Sequence, residues 1–405
     1  MAGRFLGHRT TWLLIAACGG SPSAGEEDSG STTVPTSVTA VTTNSPSTRG
    51  SGSSSATDSL LPPETDSLSG TAGEATGGSG TTGDGVPEGE LEIWWIDTEG
   101  GAATLFATPG GPLVLVDVGF PGDRDADRIA AVVQGELGKD TIDLCIITHF
   151  HTDHVGGIGE LLERVAITEF WDHGDSVEAG GGPGQSLWQD YLAVADGKRT
   201  IVTPGEMHDI GGLRLELVSA HAELIQAPLP GGGAENPACA GAQSMSPEGG
   251  ENPMSVGFVA RFGDFDMLDL GDLTWSYEHE LACPANLLGP IDLYQTTHHG
   301  QSNSGATQLV HALDPIVVVM NNGPHKGGAW ETFERITSAP SLPDLWQVHR
   351  ALDNDRGHNT SAELIANEGE NESDDAHYLH ARVDASGLVT LTNGRNLHSR
   401  DYQSL

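Results

Sequence analysis

Ten residues, Thr148 to Gly157, constrain this chain more than any other stretch, and they read T-H-F-H-T-D-H-V-G-G. Three imidazoles and one carboxylate fall within six positions, at His149, His151, Asp153 and His154. Neutral imidazole nitrogen and carboxylate oxygen are the common ligands of zinc and similar divalent metals. The run before them, Ile142 to Thr148, is short, apolar and β-branched, as in a buried strand. The run after them opens with Gly156-Gly157 and continues as Ile158, Leu161, Leu162 and Val165, a helical spacing. The ligand-type residues therefore sit in a strand-to-helix turn, where a loop can wrap its side chains around an ion.

The rest of the chain repeats this alternation. Residues 91–96, 104–108, 113–118, 166–171, 200–203, 213–219, 255–262, 265–270, 291–296 and 315–320 read as strands. Residues 125–137, 185–196, 276–283, 304–313 and 329–338 read as helices, and His377 to Val383 with Leu388 to Thr392 as a closing hairpin. Strands alternating with helices predict an α/β domain of sheets covered by helices. The Gly-, Pro- and acid-rich segment from Ala222 to Pro253 is longer than an ordinary connection. It reads either as a lid or as a disordered insertion.

The 405 residues are unevenly composed. Residues 19–88 are Ser, Thr, Gly, Pro and acidic, too poor in large apolar side chains to offset the entropy of ordering, and read as a disordered linker. Residues 89–405 suit one large domain. Residues 1–18 carry Arg4 and Arg9, then Trp12-Leu13-Leu14-Ile15, then Ala16-Ala17 before Cys18. That is a signal peptide, too short to span a membrane. Ile15 to Cys18 resembles a bacterial lipobox, which implies lipidation at Cys18. The domain is then expected outside the cytoplasm, lipid-anchored at the bacterial cell envelope. Cys239 and Cys283 form a disulfide in such a compartment, or remain two thiols.

The formal charge is −39, from 18 basic and 57 acidic residues. Nucleic-acid affinity rests largely on Lys and Arg displacing counterions, so this balance argues against a nucleic-acid partner. It favours a small-molecule or short oligomeric substrate.

Two later segments repeat the motif's architecture. Phe265 to Leu270 ends in Gly271-Asp272, and Ile291 to Thr297 ends in His298-His299-Gly300. Together with Asp117 and Gly119 after a strand and the H-x-H-x-D-H run, these resemble the metallo-β-lactamase fold hydrolases. Glu251, Asn252 and Ser255 (E-N-x-x-S) make the chain most similar to the extracytoplasmic hydrolase domain of ComEC-type competence proteins. The resemblance covers about residues 90–330 and implies a four-layer αββα sandwich, with 330–405 as an extension ending in the hairpin. It further implies that His149 and His151 hold one metal, and that Asp153, His154 and one of His298 and His299 hold a second. Asp272 would bridge them, and His298 is favoured because it directly follows its strand. Asp117 would fix the motif loop. A further ligand to the first metal falls on His221, with His173 as its rival.

Two zinc ions are the expected cofactor, with manganese or iron as alternatives. Such a pair supplies hydroxide near neutral pH, which predicts hydrolysis of an ester, lactone, amide or phosphodiester, with Asp153 and Asp272 as the catalytic carboxylates. His173, Asn322, Lys326 and His358 are candidates for substrate contact. Lys326 is conspicuous in a chain with three lysines. The alternatives are a phosphodiesterase or nuclease related to DNA uptake, and a tethered metal-binding protein without activity.

Overall fold

The structure, a computed structural model, describes residues 89–404 apart from 244 and 371–375. The signal peptide, Cys18 and the linker lie outside the described residues. Three strands come first, β1 (Leu91–Trp95), β2 (Thr104–Ala107) and β3 (Leu113–Val116), followed by α1 (Asp123–Ala130). The motif region gives β4 (Thr141–Ile146), α2 (Thr152–Val155), α3 (Ile158–Leu162) and β5 (Ala166–Asp172). Next are α4 (Gly182–Ala195), β6 (Arg199–Ile201), β7 (Met207–Ile210), β8 (Leu213–Ala220), and the short β9 (Glu223–Leu224) and β10 (Ala234–Glu235). The second half contributes β11 (Gly257–Phe262), β12 (Phe265–Asp269), α5 (Trp275–Ala282), β13 (Ala285–Asn286), β14 (Leu293–Gln295) and α6 (Thr307–Leu313). Last are β15 (Val317–Met320), α7 (Trp330–Thr337), β16 (Leu345–His349), β17 (Ile365–Asn367), β18 (Leu379–Val383), β19 (Leu388–Asn393) and β20 (Ser399–Gln403).

These strands form two large sheets. The first runs β20-β19-β18-β1-β2-β3-β4-β5-β6 and the second β17-β16-β15-β14-β12-β11-β8-β7. In both, helical crossovers join parallel strands, β3 to β6 in the first and β12 to β17 in the second. Parallel strands are buried on both faces, and β4 shows the consequence. Leu144 and Ile146 face the space between the sheets, where they join Leu215, Phe258 and Val317. Ile142 and Cys145 face the other way, into a core shared with Ile129, Val133 and Tyr191 from the helical side. A third core packs Val259 and Leu268 of the second sheet against Leu281, Leu309 and Ile336. Three cores between four layers make an αββα sandwich.

Two expectations change. The closing hairpin is a three-stranded meander, because β20 pairs with β19 and β18 adds the whole unit to β1. Nor is the region after 330 a mere extension, since β16 and β17 complete the second sheet. Trp346 of β16 donates through Nε1 to Tyr402 Oη of β20 at 2.8 Å, linking a strand one in from the second sheet's edge to the edge strand of the first.

The described residues of the 222–253 segment are tied into the fold, which is not the disordered insertion that one reading expected. β10 pairs with β13, Trp275 Nε1 donates to the Gln243 carbonyl, and Cys239 is bonded to Cys283 with their Cα atoms 5.8 Å apart. Cysteines separated by 44 residues close a loop whose entropy stabilises the fold by roughly 4 kcal/mol. Among the described residues, no helix is long and apolar enough to cross a membrane.

Candidate metal centre

β3 and β4 are parallel neighbours, so their C-terminal ends lie side by side. Asp117, just past β3, takes a left-handed conformation (φ 59°) that turns its carboxylate back onto the motif. Its Oδ1 accepts the Thr148 backbone N–H at 2.8 Å, and its Oδ2 accepts Thr148 Oγ1 and His154 Nδ1, each at 2.7 Å. Asp117, Thr148 and His154 are all essentially inaccessible to water. The second sheet closes on the same point, where Val256 N–H donates to the Thr148 carbonyl at 2.9 Å. Gly271 (φ 54°) permits this approach, since a Cβ there would stand 2.9 Å from Thr148 Cβ. The next residue is Asp272.

Asp153, His154, Asp272 and His299 converge, each offering one ligand atom within 4.8 Å of the others. His154 Nε2 lies 3.2 Å from His299 Nε2, 3.1 Å from Asp153 Oδ2 and 3.2 Å from Asp272 Oδ2. His299 Nε2 lies 3.2 Å from Asp153 Oδ2 and 3.4 Å from Asp272 Oδ1. Tetrahedral ligands at zinc bond lengths sit about 3.3 Å apart, so these donors are spaced as they would be around one ion. Two buried carboxylates meeting two imidazole nitrogens also constitute a donor set that a dication suits. The residues fit a metal.

Electrostatics point the same way. Burial opposes charge on Asp272, yet His154, His299 and His298 hold its carboxyl well below the usual range. Burial likewise opposes the Asp153 carboxylate, and His154, His299 and Lys326 hold it far down. Burial disfavours imidazolium at His154, but Asp272, Asp153 and Asp117 outweigh it and raise its pKa well above the ordinary value. At His149 burial and the neighbouring His154 win, and its pKa falls well below the ordinary value.

The other half is more open. His149 Nε2 faces His151 Nδ1 at 2.9 Å, and Asp272 Oδ2 is 3.9 Å from His149 Nε2. Asp272 thus adjoins both halves. His298, favoured by strand register, stands beside the quartet with its Nε2 3.4 Å from Asp272 Oδ2 and its Nδ1 3.3 Å from Ser304 Oγ. His299 enters the quartet instead. Both residues have left-handed φ (54° and 52°), and this reversal of the chain is invisible to register counting.

Lys326 Nζ bonds Asp153 Oδ2 directly and lies 5.7 Å over the Phe120 ring. His221 is exposed, its ring 6.1 Å from that of His173, and it does not join the four converging donors. His173 is buried with Nε2 3.0 Å from Glu251 Oε2, and it does not join the four converging donors. Asn322 is fully buried and donates through Nδ2 to the Gly323 and His349 carbonyls. His358 sits between Asp355 and Glu334 beside Trp330, with no contact to the cluster among those observed. Sequence reasoning passed over Glu178, whose Oε1 is 3.7 Å from His151 Nε2, because no pattern surrounds it. Glu251 was visible in its motif, but its four hydrogen-bond partners were not.

The metallo-β-lactamase superfamily profile matches residues 96–233. With the two-sheet sandwich described above, the chain has the metallo-β-lactamase fold. No curated protein matches the sequence. Solved structures with similarity include the metallo-β-lactamase fold protein YhfI from Bacillus subtilis. It is 11% identical, with 64% of this chain and 96% of that chain covered and a TM-score of 0.40. CmlA, a diiron β-hydroxylase from Streptomyces venezuelae, is 17% identical over 67% of this chain and 49% of that chain, with a TM-score of 0.34. A variant metallo-β-lactamase from Cronobacter sakazakii is 18% identical over 44% and 60%, with a TM-score of 0.28. None of these similarities speaks to the substrate.

Proposed function

We propose that the chain is a metal-dependent hydrolase acting on a small anionic ester, lactone, amide or phosphodiester. The observation that carries this reading is the convergence of Asp153, His154, Asp272 and His299 at ligand spacing, next to the His149–His151 pair. When bound, a pair of divalent ions, zinc by preference for this nitrogen and oxygen donor set, would supply Lewis acidity and a water of lowered pKa. The residues do the rest. Asp117 locks the tautomer of His154, so that Nε2 faces the quartet. Asp153, held ionised by His154, His299 and Lys326, would use its second carboxylate oxygen to orient the attacking water. Lys326, about a third exposed, is placed to pair with a carboxylate or phosphate on the substrate.

The likeness of Glu251, Asn252 and Ser255 to ComEC-type domains supports a second reading, cleavage of a nucleic-acid phosphodiester. The excess of 57 acidic over 18 basic residues weighs against it. The test is metal analysis of the full-length protein with a panel containing a phosphodiester, a lactone, a β-lactam and single-stranded DNA. Turnover should require metal, and Lys326→Met should raise KM for the anionic substrate about tenfold. Metal bound without turnover on any member would instead support the tethered binding protein. Turnover unchanged in His151→Ala would sink the mechanism. Export and lipid anchoring at Cys18 belong to the same proposal, and Cys18→Ala should move the protein from the membrane to the soluble fraction. Equal membrane retention of both proteins would refute the anchor.

A further inference from the structure

We infer that Glu178 is a positioning residue for the half of the centre built on His149 and His151, a role that rests on the metal-dependent reading above. His151 presents Nδ1 to His149 Nε2 at 2.9 Å and turns its other nitrogen, Nε2, toward Glu178 Oε1 at 3.7 Å. A metal-ligating histidine usually donates its second ring N–H to a carboxylate, carbonyl or water, which fixes the tautomer and the ring orientation. Asp117 stands in that relation to His154, and Glu178 stands in it to His151. The separation is a few tenths of an ångström beyond a hydrogen bond, within reach of a small side-chain rotation.

Glu178 occupies a built slot. A Cβ on Gly184 would lie 2.8 Å from Glu178 Cβ, and one on Gly250 (φ 87°) would lie 2.9 Å from Glu178 Oε1. Neither position leaves room for a side chain while Glu178 stays where it is. The loop carrying it is fastened from below by Glu251, which is completely buried. Glu251 Oε1 accepts Ser176 Oγ at 2.6 Å and Val177 N–H at 2.7 Å, and Ser176 Oγ in turn accepts Glu178 N–H at 3.1 Å. Glu251 Oε2 accepts His173 Nε2 at 3.0 Å and the N–H of Phe150 at 3.2 Å. Phe150 lies between His149 and His151, so one buried carboxylate ties the ligand turn to the loop that presents Glu178. Burial opposes its charge, but the bonds from His173 and Ser176 bring its pKa down to about 2. Glu251 sets the loop, and Glu178 orients the ligand.

The deciding experiment is a zinc titration of the full-length protein against a competing chelator, with His151→Ala identifying the ion held by this half. Glu178→Ala should weaken that ion about 10- to 100-fold and spare the other, whereas Glu178→Gln, which keeps an acceptor oxygen, should restore affinity to within about threefold. Thermal unfolding of the metal-free protein should be unchanged, because the Glu178 side chain is 41% exposed. Wild-type affinity in Glu178→Ala would overturn the inference. So would a Gln variant as weak as Ala, because that marks a direct ligand. Wild-type protein that binds no zinc at all would defeat the proposed function instead, which keeps the two failures apart.

Discussion

Asp272→Ala should lose both ions from the centre and at least about a thousandfold in turnover, more than any other single ligand change. Its two oxygens reach into both halves of the site. Oδ2 approaches His154 Nε2 at 3.2 Å, His298 Nε2 at 3.4 Å and His149 Nε2 at 3.9 Å, while Oδ1 approaches His299 Nε2 at 3.4 Å. Removing it leaves His149 and His151 as a bare pair. The other half keeps Asp153, His154 and His299, with Lys326 competing for the one remaining carboxylate. His151→Ala provides the comparison, since it should empty one half only. Metal content by elemental analysis, alongside single-turnover rates, checks both. Two ions retained at wild-type affinity in Asp272→Ala would refute its place between the halves.

The motif from His149 to His154 was legible because its ligand-type residues are local, set by one strand end and one short helix. Asp272 was legible for the same reason, as a residue at a strand tip. The choice between His298 and His299 was not, because two consecutive left-handed residues reverse the ring order that strand register implies. β16 was missed because its sequence L-W-Q-V-H places two polar residues in a buried strand. Both meet partners outside the strand, Gln347 Nε2 at Asn359 and His349 Nε2 at Asp97. β20, with one apolar residue in S-R-D-Y-Q, is held at the sheet's edge by pairing to β19 rather than by its own pattern. Glu178 and the reach of Glu251 depend on loops distant in sequence. Local periodicity carries no information about such meetings.

Asp117→Ala should cost roughly 3–5 kcal/mol of stability, a large share of what a domain usually has. The carboxylate accepts from the Thr148 N–H, the Thr148 hydroxyl and His154 Nδ1, all inside a region closed to water. Alanine would leave three buried donors unsatisfied, each at about 1–3 kcal/mol. It would also have to hold φ 59°, which alanine tolerates poorly. Asparagine separates the two effects. It tolerates the left-handed backbone and keeps one acceptor oxygen, so Asp117→Asn should fold with a smaller loss. Its single acceptor oxygen cannot serve the Thr148 N–H, the Thr148 hydroxyl and His154 Nδ1 together, as the two oxygens of Asp117 do, so its metal affinity should still fall about 10- to 100-fold. Denaturant unfolding of the metal-free proteins reads the first effect, and zinc competition the second. If Asp117→Ala unfolds within about 1 kcal/mol of wild type, the buried donors have found other partners. The strand-end network would then not be what holds the ligand turn in place.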